Sequence, residues 1–454
     1  MISIHDTLAR KVSQIESSGS QVTVYCCGPT VYRDAHVGNL RTFLLADIIH
    51  RALIQQGAQV NFIQNITDVG HMSEDVQGED KMLQQAQLEK RDPFEIARAY
   101  EAGFHNDLQR LNILPANAYP RASETIILMQ QYITKLIDGG FAYATPSGSV
   151  YFDSRSFETY GAISGNRLDS LKPGHRYEFT DEGDKRFHAD WALWKAAGSR
   201  TEMIWDSPWG SGFPGWHIEC TAMSLSLLDN RIDVHVGGID LRFPHHENER
   251  AQSNSIINSE AVGMWVHGEH LLFEGRKMSK SSGNVVLLQD VLDRGLDPLA
   301  LRLCLLENRY RAQMDLTWAA MEAANSTLRR WRNSMATWGS ADSVTEDAEV
   351  ATAIKKDLDT PRAILRLRAV EKDSQILVHD KRAIFLHADQ VLGLELTRAV
   401  IDKPLSPEQA SLLSQRASAR ELKNWSQSDL LRDDLLAQGI SISDGPAGQS
   451  WSWT

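Results

Sequence analysis

The sequence predicts an α/β protein whose first domain contains a parallel sheet, and three observations lead to that fold class. Residues 21–27 alternate in polarity and are rich in Val and Tyr, as β-strands are. Residues 39–56 place apolar side chains at helical spacing and are followed by Gly57. Residues 60–66 form a second strand-like run. Strand, helix and strand in this order make a βαβ unit, which pairs its strands in parallel.

Helices and an inserted segment are predicted after the βαβ unit. Residues 81–137 have mostly helical spacing, broken by prolines. Residues 142–207 are mixed, polar and turn-rich, which is typical of an insertion. Sheet character returns at 232–236 and at 270–273. Beyond Lys277 the pattern is predicted to be helical, with a proline-containing linker at residues 402–409.

Composition and charge exclude several classes of protein. Apolar residues make up 42% and charged residues 23% of the 454 residues, so collagen-like and largely disordered chains are excluded. The net charge of −12 gives no general support for nucleic-acid binding, although a local basic stripe can bind within an acidic protein. No apolar run is long enough to span a bilayer and no signal peptide is recognisable, so a cytoplasmic protein is expected. Four cysteines are too few for a disulfide framework.

Two short motifs suit phosphate chemistry. His36, Gly38 and Asn39 open the first predicted helix, where free N–H groups and the helix dipole favour anions. Lys277 and Lys280 lie in the run Lys-Met-Ser-Lys-Ser, a cationic loop that could neutralise phosphate charge in a transition state. The alternatives are a polar helix start with one surface histidine and a solvated basic turn.

A scattered set of side chains suits a metal. His245 and Glu249 are four apart and share one face of a helix, so His246 and Glu247 are expected to point elsewhere. Two cysteines complete a possible zinc set with this pair, Cys220 and either Cys26 or Cys27, because adjacent strand residues face opposite sides. Ordinary buried thiols beside a satisfied polar cluster are the alternative.

The sequence resembles the cysteinyl-tRNA synthetases of the class I aminoacyl-tRNA synthetase family. The segments that carry the resemblance extend over the whole chain: 25–32, 36–39, 65–68, 205–210, 215–224, 243–249, 277–284, 444–446 and Trp451. It implies a Rossmann-like parallel-sheet catalytic domain with an inserted connective segment, an α-helical bundle and a small C-terminal domain. The predicted segments are 1–140 and 205–262 (catalytic), 141–204 (insert), 263–315 (stem-contact region with the Lys-Met-Ser-Lys-Ser loop), 316–401 (bundle) and 402–454 (anticodon recognition).

Residue roles follow from the resemblance. It implies that one zinc ion is held by Cys27, Cys220, His245 and Glu249. It implies that ATP, with Mg²⁺, is bound by His36, Gly38, Asn39, Gly237, Gly238, Asp240 and Lys280. Catalysis is assigned to His36, Asn39, Lys277 and Lys280, and substrate binding to Cys27, Gly28, Thr30, Thr67 and Trp216.

The implied reaction has two steps and four partners. The carboxylate of L-cysteine attacks the α-phosphorus of ATP, giving cysteinyl-adenylate, and the cysteinyl group then passes to the 3′ end of tRNA(Cys). A zinc ion would select the substrate thiolate over the serine hydroxyl, since an apolar pocket discriminates one small group by only ~1–3 kcal/mol. A monomer without membrane association is expected.

Two basic segments are candidates for tRNA contact, with solvated helix faces as the alternative. The first comprises Arg302, Arg309, Arg311, Arg329, Arg330, Trp331 and Arg332, and the second Arg416, Arg420, Lys423, Trp425 and Arg432.

One departure and three rival functions remain. The family usually has an acidic pair after Asn-Ile-Thr-Asp, whereas this chain has Val69-Gly70-His71. The rivals are a ligase that joins cysteine to an amino sugar, a non-catalytic paralogue and a scaffold whose zinc is purely structural.

Overall fold

The computed structural model describes residues 2–17, 19–69, 80–168, 171, 184–278, 283–340, 343–400, 405–445 and 448–453. Up to residue 138 its elements are, in chain order, β1 (Ser3–Asp6), β2 (Lys11–Gln14), β3 (Val22–Cys26), α1 (Val37–Gln55), β4 (Val60–Gln64), α2 (Lys81–Glu89), α3 (Pro93–Arg110) and α4 (Ile126–Asp138). The middle of the chain contains β5 (Ala142–Ala144), β6 (Val150–Phe152), β7 (Trp191–Ala196), β8 (Gly212–Pro214), α5 (Trp216–Leu227), β9 (Ile232–Gly238), α6 (His245–Ile257), β10 (Val262–Gly268), β11 (Leu271–Phe273) and β12 (Arg276–Lys277). The remainder contains α7 (Leu288–Asp293), α8 (Pro298–Leu306), β13 (Met314–Leu316), α9 (Trp318–Thr337), α10 (Ala348–Lys355), α11 (Thr360–Lys372), α12 (Val378–Leu392), α13 (Pro407–Glu421), α14 (Trp425–Ala437), β14 (Ile440–Gly445) and β15 (Gly448–Trp453).

A four-stranded sheet in the order β10-β9-β3-β4 lies at the centre of the catalytic region. All of its neighbouring strands are parallel, and Val24 of β3 pairs with Phe62 on one side and Val234 on the other. The βαβ unit predicted from the sequence is therefore confirmed. Its second strand ends at Gln64 rather than Ile66, because Ile66 pairs only through an isolated bridge to Arg121.

Helix α1 covers this sheet and is apolar over most of its surface. Its buried side chains include Leu40, Phe43 and Ile49, which explains the helical spacing seen in the sequence. It also carries a buried carboxylate, Asp47, whose Oδ2 lies 2.6 Å from Nη2 of Arg302 in α8. This ion pair ties the sheet-covering helix to the helices that follow.

The predicted insert is a four-stranded antiparallel sheet in the order β5-β6-β7-β8. Trp194 of β7 pairs with Val150 and with Pro214. Its fourth strand, Gly212–Pro214, lies beyond residue 204, where the sequence analysis placed the end of the insert.

The expectation that the chain is helical after Lys277 is wrong at two places. Met314–Leu316 forms a parallel pair with β11, and Ile440–Gly445 with Gly448–Trp453 forms an antiparallel hairpin. A three-residue strand gives too little periodicity to be recognised. The hairpin did have a signal, since Ile and Ser alternate in one strand and Ser and Trp in the other.

The chain divides into two compact units. The first comprises Met1–Asn325 with Trp338–Leu396, and the second Ser326–Thr337 with Thr397–Thr454. In the second unit, Leu413, Leu435 and Ile440 form a small apolar core. Within the described part of the chain, no helix combines the length and the hydropathy that crossing a membrane requires.

Candidate active site and metal centre

A cavity of about 350 Å³ lies at the carboxyl ends of β3 and β9, within the size range of ligand-binding pockets. Chain segments that directly follow these parallel strands form much of its wall, because such strands end at the same edge of a sheet. Ten of the residues predicted from the sequence line it: Cys27, Gly28, Thr30, His36, Gly38, Asn39, Trp216, Gly238, Asp240 and Lys277.

Among the described residues predicted to contact ATP or substrate, Gly237 and Thr67 are not found in this lining. A Cβ atom on Gly237 would lie 2.5 Å from Cε1 of His246, so this glycine allows the close approach of a histidine. Thr67 is buried behind the wall, where its hydroxyl accepts a hydrogen bond from Nδ2 of Asn65 at 3.1 Å. Lys280 lies outside the described residues, and so does His71.

His36 is the N-cap of helix α1. Its Nδ1 accepts hydrogen bonds from the backbone N–H groups of Gly38 and Asn39, at 3.1 and 3.3 Å. The Oδ1 of Asn39 accepts in return from the backbone N–H of His36, at 3.2 Å, which completes a capping box. Burial lowers the pKa of His36, which favours the neutral ring. With Nδ1 occupied as an acceptor, Nε2 carries the proton and can donate to a phosphate oxygen.

Gly28 is required by the close approach of a neighbouring loop. A Cβ atom there would lie 1.6 Å from the carbonyl oxygen of Asn65. The backbone N–H of Gly28 also donates to Oδ1 of Asn65, at 2.9 Å. The Asn-Ile-Thr-Asp segment therefore holds the wall of the cavity, and Asp68 fixes that segment by accepting from the N–H and hydroxyl of Ser123.

Sequence analysis missed two cations in the cavity wall, Arg33 and Lys81. Both lie near the ring of Tyr32, with the Lys81 Nζ atom 5.8 Å and the Arg33 Cζ atom 5.1 Å from its centroid. They add positive charge to the cavity that Lys277 also lines.

Four side chains converge beside this cavity in an arrangement that we call the two-thiolate site: Cys27, Cys220, His245 and Glu249. All four are buried, and their donor atoms lie within 4.8 Å of one another. The two Sγ atoms are 3.9 Å apart, the Cys27 Sγ atom is 3.7 Å from Oε1 of Glu249, and that oxygen is 2.9 Å from Nε2 of His245. The structure therefore brings together all four ligands that the resemblance implied, including Cys27 rather than Cys26.

The spacing fits a tetrahedral zinc ion. Two thiolates bound at ~2.3 Å with tetrahedral angles lie about 3.8 Å apart, close to the separation of Cys27 and Cys220. Two sulfurs, one imidazole nitrogen and one carboxylate oxygen are also ligands that zinc accepts readily.

Three of the four ligands, His245, Glu249 and Cys27, each have a histidine behind them. The Nδ1 atom of His245 lies 2.9 Å from Nδ1 of His217, and Oε2 of Glu249 lies 3.0 Å from Nε2 of His235. The Cys27 Sγ atom lies 3.4 Å from Nε2 of His246. Such outer contacts fix the tautomer and the orientation of metal ligands.

The protonation states of the ligands reflect their burial together. Burial would lower the pKa of His245, but the charge of Glu249 overcomes it and raises that pKa to about 10. Burial would likewise raise the pKa of Glu249, yet the nearby imidazoles hold it at about 2. The hydrogen bond with Cys27 lowers the pKa of Cys220 to about 6, whereas burial raises that of Cys27. The carboxylate of Glu249 and the thiolate of Cys220 are therefore negatively charged in a buried site. A bound cation would neutralise that charge.

The expectation that His246 points away from the ligands is wrong. With Cys27, His235 and Glu249 it forms a second buried group of donors, again within 4.8 Å of one another, which we call the histidine-rich site. His246 follows His245 by one residue, about 100° around the helix, so it faces the sheet that carries Cys27 rather than solvent. One of its partners had a signal in the sequence, because His267 interrupts the otherwise apolar strand Val262–Gly268.

Part of the first basic segment is buried within the protein and cannot be a phosphate-binding face. Arg302 is fully buried, and its guanidinium donates to the carbonyl groups of Leu392 and Leu111. Arg309 and Arg311 form ion pairs with Asp359 and Asp357. The buried residues Trp331 and Arg332 do not form an exposed stacking surface either. The prediction of contact with tRNA is therefore wrong for the buried Arg302, Trp331 and Arg332. For Arg309 and Arg311, whose side chains are 49% and 39% exposed, it stays a prediction.

The second basic segment is divided in the same way. Arg416 is buried and donates to Asp444 and Gln449, so it stabilises the small C-terminal unit. Trp425 is 55% exposed and has the guanidinium of Arg420 at 5.5 Å from its ring centroid. For the exposed residues of this segment, contact with tRNA stays a prediction.

Comparisons with known proteins agree with this site. Residues 13–326 match the family model for the class I (C) tRNA synthetase catalytic domain, and residues 402–451 match that for the cysteinyl-tRNA ligase anticodon-binding domain. The cysteine–tRNA ligase of Thermus thermophilus is 40% identical over 99% of this chain and 98% of its own length. Cysteine–tRNA ligase 1 of Burkholderia lata is 38% identical over 99% of this chain and 96% of its own.

Solved structures support the fold. The methionyl-tRNA synthetase of Mycobacterium tuberculosis, in complex with methionyl-adenylate, has a TM-score of 0.55 and 15% identity, covering 83% of this chain and 90% of its own. The LeuRS–tRNA–LeuAMS ternary complex of Agrobacterium radiobacter has a TM-score of 0.59 and 12% identity, covering 84% of each chain. At such identities the likeness concerns the fold alone, and it confirms the predicted fold class.

Proposed function

The chain belongs to the cysteinyl-tRNA synthetase family, and from that premise we propose that it activates L-cysteine with ATP and transfers the cysteinyl group to tRNA(Cys). The structural observation that supports this function is the junction between two sites. Cys27 both lines the cavity and belongs to the two-thiolate site. A substrate whose carboxylate meets ATP in the cavity can therefore extend its thiol towards the metal ligands.

The first step forms a bond between a carboxylate oxygen of cysteine and the α-phosphorus of ATP, while the bond to the pyrophosphate oxygen breaks. No side-chain nucleophile is needed, so positioning and charge neutralisation do the work. At the N-terminus of α1, the Nε2–H of His36 can donate to a phosphate oxygen, and the positive end of the helix dipole favours the anion. Lys277, with Lys280, neutralises the charge that develops on the leaving pyrophosphate.

In the second step a terminal ribose hydroxyl of the tRNA attacks the carbonyl carbon of cysteinyl-adenylate, and AMP leaves with the bonding electrons. The match of residues 402–451 to an anticodon-binding domain favours tRNA over an amino sugar as acceptor. The complete two-thiolate site and Lys277 in the cavity wall argue against a non-catalytic paralogue.

We propose that Cys27, Cys220, His245 and Glu249 hold one zinc ion per chain. Bound there, zinc would coordinate the thiolate of cysteine, which a serine hydroxyl, being harder and far less acidic, cannot match. Trp216 supports this placement, since its ring lies 4.3 Å from that of His245 and also lines the cavity. It can therefore pack against the side chain of the substrate.

Further proposals concern the working state of the enzyme. ATP reacts as its magnesium complex. The carboxylate of Asp240 lies in the cavity wall, where it can orient this complex. We also propose that the chain is a cytoplasmic monomer. Size-exclusion chromatography with light scattering tests the monomer, and a dimer mass would contradict it.

Charging of tRNA tests the proposed function. Purified chain should attach cysteine, and not serine, to tRNA(Cys), and should form no product with an amino sugar. Lys277→Ala should lower the rate of ATP–pyrophosphate exchange by about 10²–10³-fold. Lys185→Ala, in the separate antiparallel sheet region, is the matched control and should leave the rate unchanged. Exchange without charging of tRNA would contradict the proposed acceptor.

A further inference from the structure

We propose that the histidine-rich site is a second metal site, formed by Cys27, His235, His246 and Glu249. It overlaps the two-thiolate site and can be filled only when that site is empty. The two sites share Cys27 and Glu249, so the inference rests for these ligands on the proposed zinc site. It assigns a metal-binding role to His235 and His246.

The donor set of the histidine-rich site is that of a transition-metal site. All four side chains are buried, and their donor atoms lie within 4.8 Å of one another. The Nε2 atom of His246 is 3.4 Å from the Cys27 sulfur, and Nε2 of His235 is 3.0 Å from Oε2 of Glu249. Two imidazoles, one thiolate and one carboxylate suit Co²⁺, Ni²⁺ or Zn²⁺.

His235 is held in place for this role by aromatic neighbours. Its ring stacks on Trp265 with centroids 4.6 Å apart and an interplanar angle of 21°. Tyr25 meets the same ring edge-on, with centroids 5.2 Å apart. A ligand that is oriented before the metal arrives loses little entropy on binding.

His246 can either donate a hydrogen bond to Cys27 or bind a metal itself, because the hydrogen bonds that connect it to Thr7 can change direction. Its Nδ1 atom lies 2.8 Å from Nε2 of His267, whose Nδ1 lies 2.8 Å from the hydroxyl of Thr7. A hydroxyl both donates and accepts, so the two neutral imidazoles can adopt either set of tautomers.

The two directions of the hydrogen bonds from Thr7 through His267 to His246 have different consequences for Cys27. When Thr7 donates, each histidine carries its proton on Nε2, and His246 donates to the Cys27 thiolate. This state is compatible with a metal ion in the two-thiolate site, because His246 then supports Cys27 as a ligand of that ion. When Thr7 accepts, each histidine carries its proton on Nδ1, and the Nε2 lone pair of His246 is open to a metal. The two states contain the same number of protons.

Binding of Co²⁺ to purified chain, followed by the thiolate-to-cobalt absorption band, tests the proposal. Wild-type chain should bind one Co²⁺ with the band intensity of two thiolates. Cys220→Ser/His245→Gln, which leaves only the histidine-rich site, should still bind one Co²⁺ with the intensity of one thiolate. Adding His246→Gln or His235→Gln should weaken that binding by about 100-fold or more. Cys26→Ser is the matched control and should behave as wild type.

Thr7→Val gives a second test that leaves every ligand in place. Valine can neither donate nor accept a hydrogen bond, so both directions lose the contact with His267. The direction that opens His246 to the metal loses more, because it leaves a buried Nδ1–H of His267 unpaired, which costs more than an unpaired lone pair. In Cys220→Ser/His245→Gln the valine should weaken Co²⁺ binding about tenfold, whereas in the wild-type background it should have little effect. If Thr7→Val weakened Co²⁺ binding equally in both backgrounds, the hydrogen-bond chain from Thr7 to His246 would not control access of the metal to His246.

The possible failures are distinguishable. A wild-type chain that binds neither Zn²⁺ nor Co²⁺ refutes the proposed zinc site itself. A second outcome overturns the histidine-rich site alone. In it the wild-type protein binds Co²⁺, whereas the Cys220→Ser/His245→Gln variant binds none although its circular dichroism matches that of the wild type. If that variant does not fold, Cys220→Ser is measured instead, and complete loss of Co²⁺ from it overturns the site equally.

Discussion

His217 and His245 face each other through their Nδ1 atoms, 2.9 Å apart in the buried base of the active site. Because Nε2 of His245 faces Glu249 in the two-thiolate site, Nδ1 must carry the proton when Nε2 binds a metal. His217 is then the acceptor that fixes this tautomer. A residue without metal contact thereby sets the geometry of a ligand.

Replacing His217 should weaken zinc binding. His217→Ala removes the acceptor for Nδ1 of His245, and loss of such an outer contact typically costs ~10–100-fold in metal affinity. Competition with a chromogenic chelator measures the zinc Kd. His379→Ala, an exposed histidine, should leave it unchanged. An unaltered Kd in His217→Ala would refute the positioning role.

Gly237→Ala should disturb the metal ligands rather than nucleotide binding. The added Cβ would lie 2.5 Å from Cε1 and 2.8 Å from Nε2 of His246, so that ring must move away from Cys27. We expect zinc affinity to fall about tenfold or more while the KM for ATP stays unchanged. Gly19→Ala, where a Cβ meets nothing within 4 Å, is the control. A raised KM for ATP with unchanged zinc affinity would restore the original assignment to the nucleotide site.

Arg302→Ala should destabilise the fold without weakening tRNA binding. Its removal leaves Asp47 short of one buried partner and strips hydrogen bonds from backbone carbonyls. Breaking a buried ion pair in this way costs about 3–5 kcal/mol, which urea unfolding would measure. Arg91→Ala, which breaks an exposed pair with Glu89, should cost about 0–1 kcal/mol. A stable Arg302→Ala variant with reduced tRNA affinity would contradict the structural role.

Asp107→Asn should stabilise the protein at neutral and alkaline pH. Burial raises the pKa of Asp107 to about 6; Arg110 opposes the shift and Asp34 adds to it. Since the folded pKa exceeds the unfolded value of ~3.9, ionisation of Asp107 costs stability as the pH rises from about 4 to 6.

The asparagine variant avoids that cost. Allowing for solvent screening at this half-buried site, it should gain on the order of 1 kcal/mol at pH 8 and nothing below about pH 4. Thermal unfolding at the two pH values measures the difference, with the exposed Glu158→Gln as control. A gain that is equal at both pH values would show that the pKa of Asp107 is not the cause.

The sequence predicted the site better than it predicted the charged surfaces. Spacing on α6 and strand alternation pointed to His245, Glu249 and one of the paired cysteines, and the family resemblance selected Cys27. Charge patterns could not show that Arg302 and Arg416 are buried, because a cation on a helix has the same sequence signature whether it meets solvent or a carboxylate. The contact of His246 with Cys27 was missed because the two residues lie 219 positions apart in the sequence, and helical spacing alone placed His246 away from the ligands.

ATP–pyrophosphate exchange tests most directly the claim that zinc selects cysteine as the substrate. The exchange rate is measured with cysteine and, for comparison, with serine, on the zinc-loaded protein and on the protein stripped of zinc by a chelator. Zinc-loaded chain should exchange rapidly with cysteine and hardly at all with serine. Stripped chain should lose exchange with cysteine while its circular dichroism is unchanged, and added zinc should restore it. Equal exchange with and without zinc, or equal exchange with the two amino acids, would contradict selection of the substrate through the two-thiolate site.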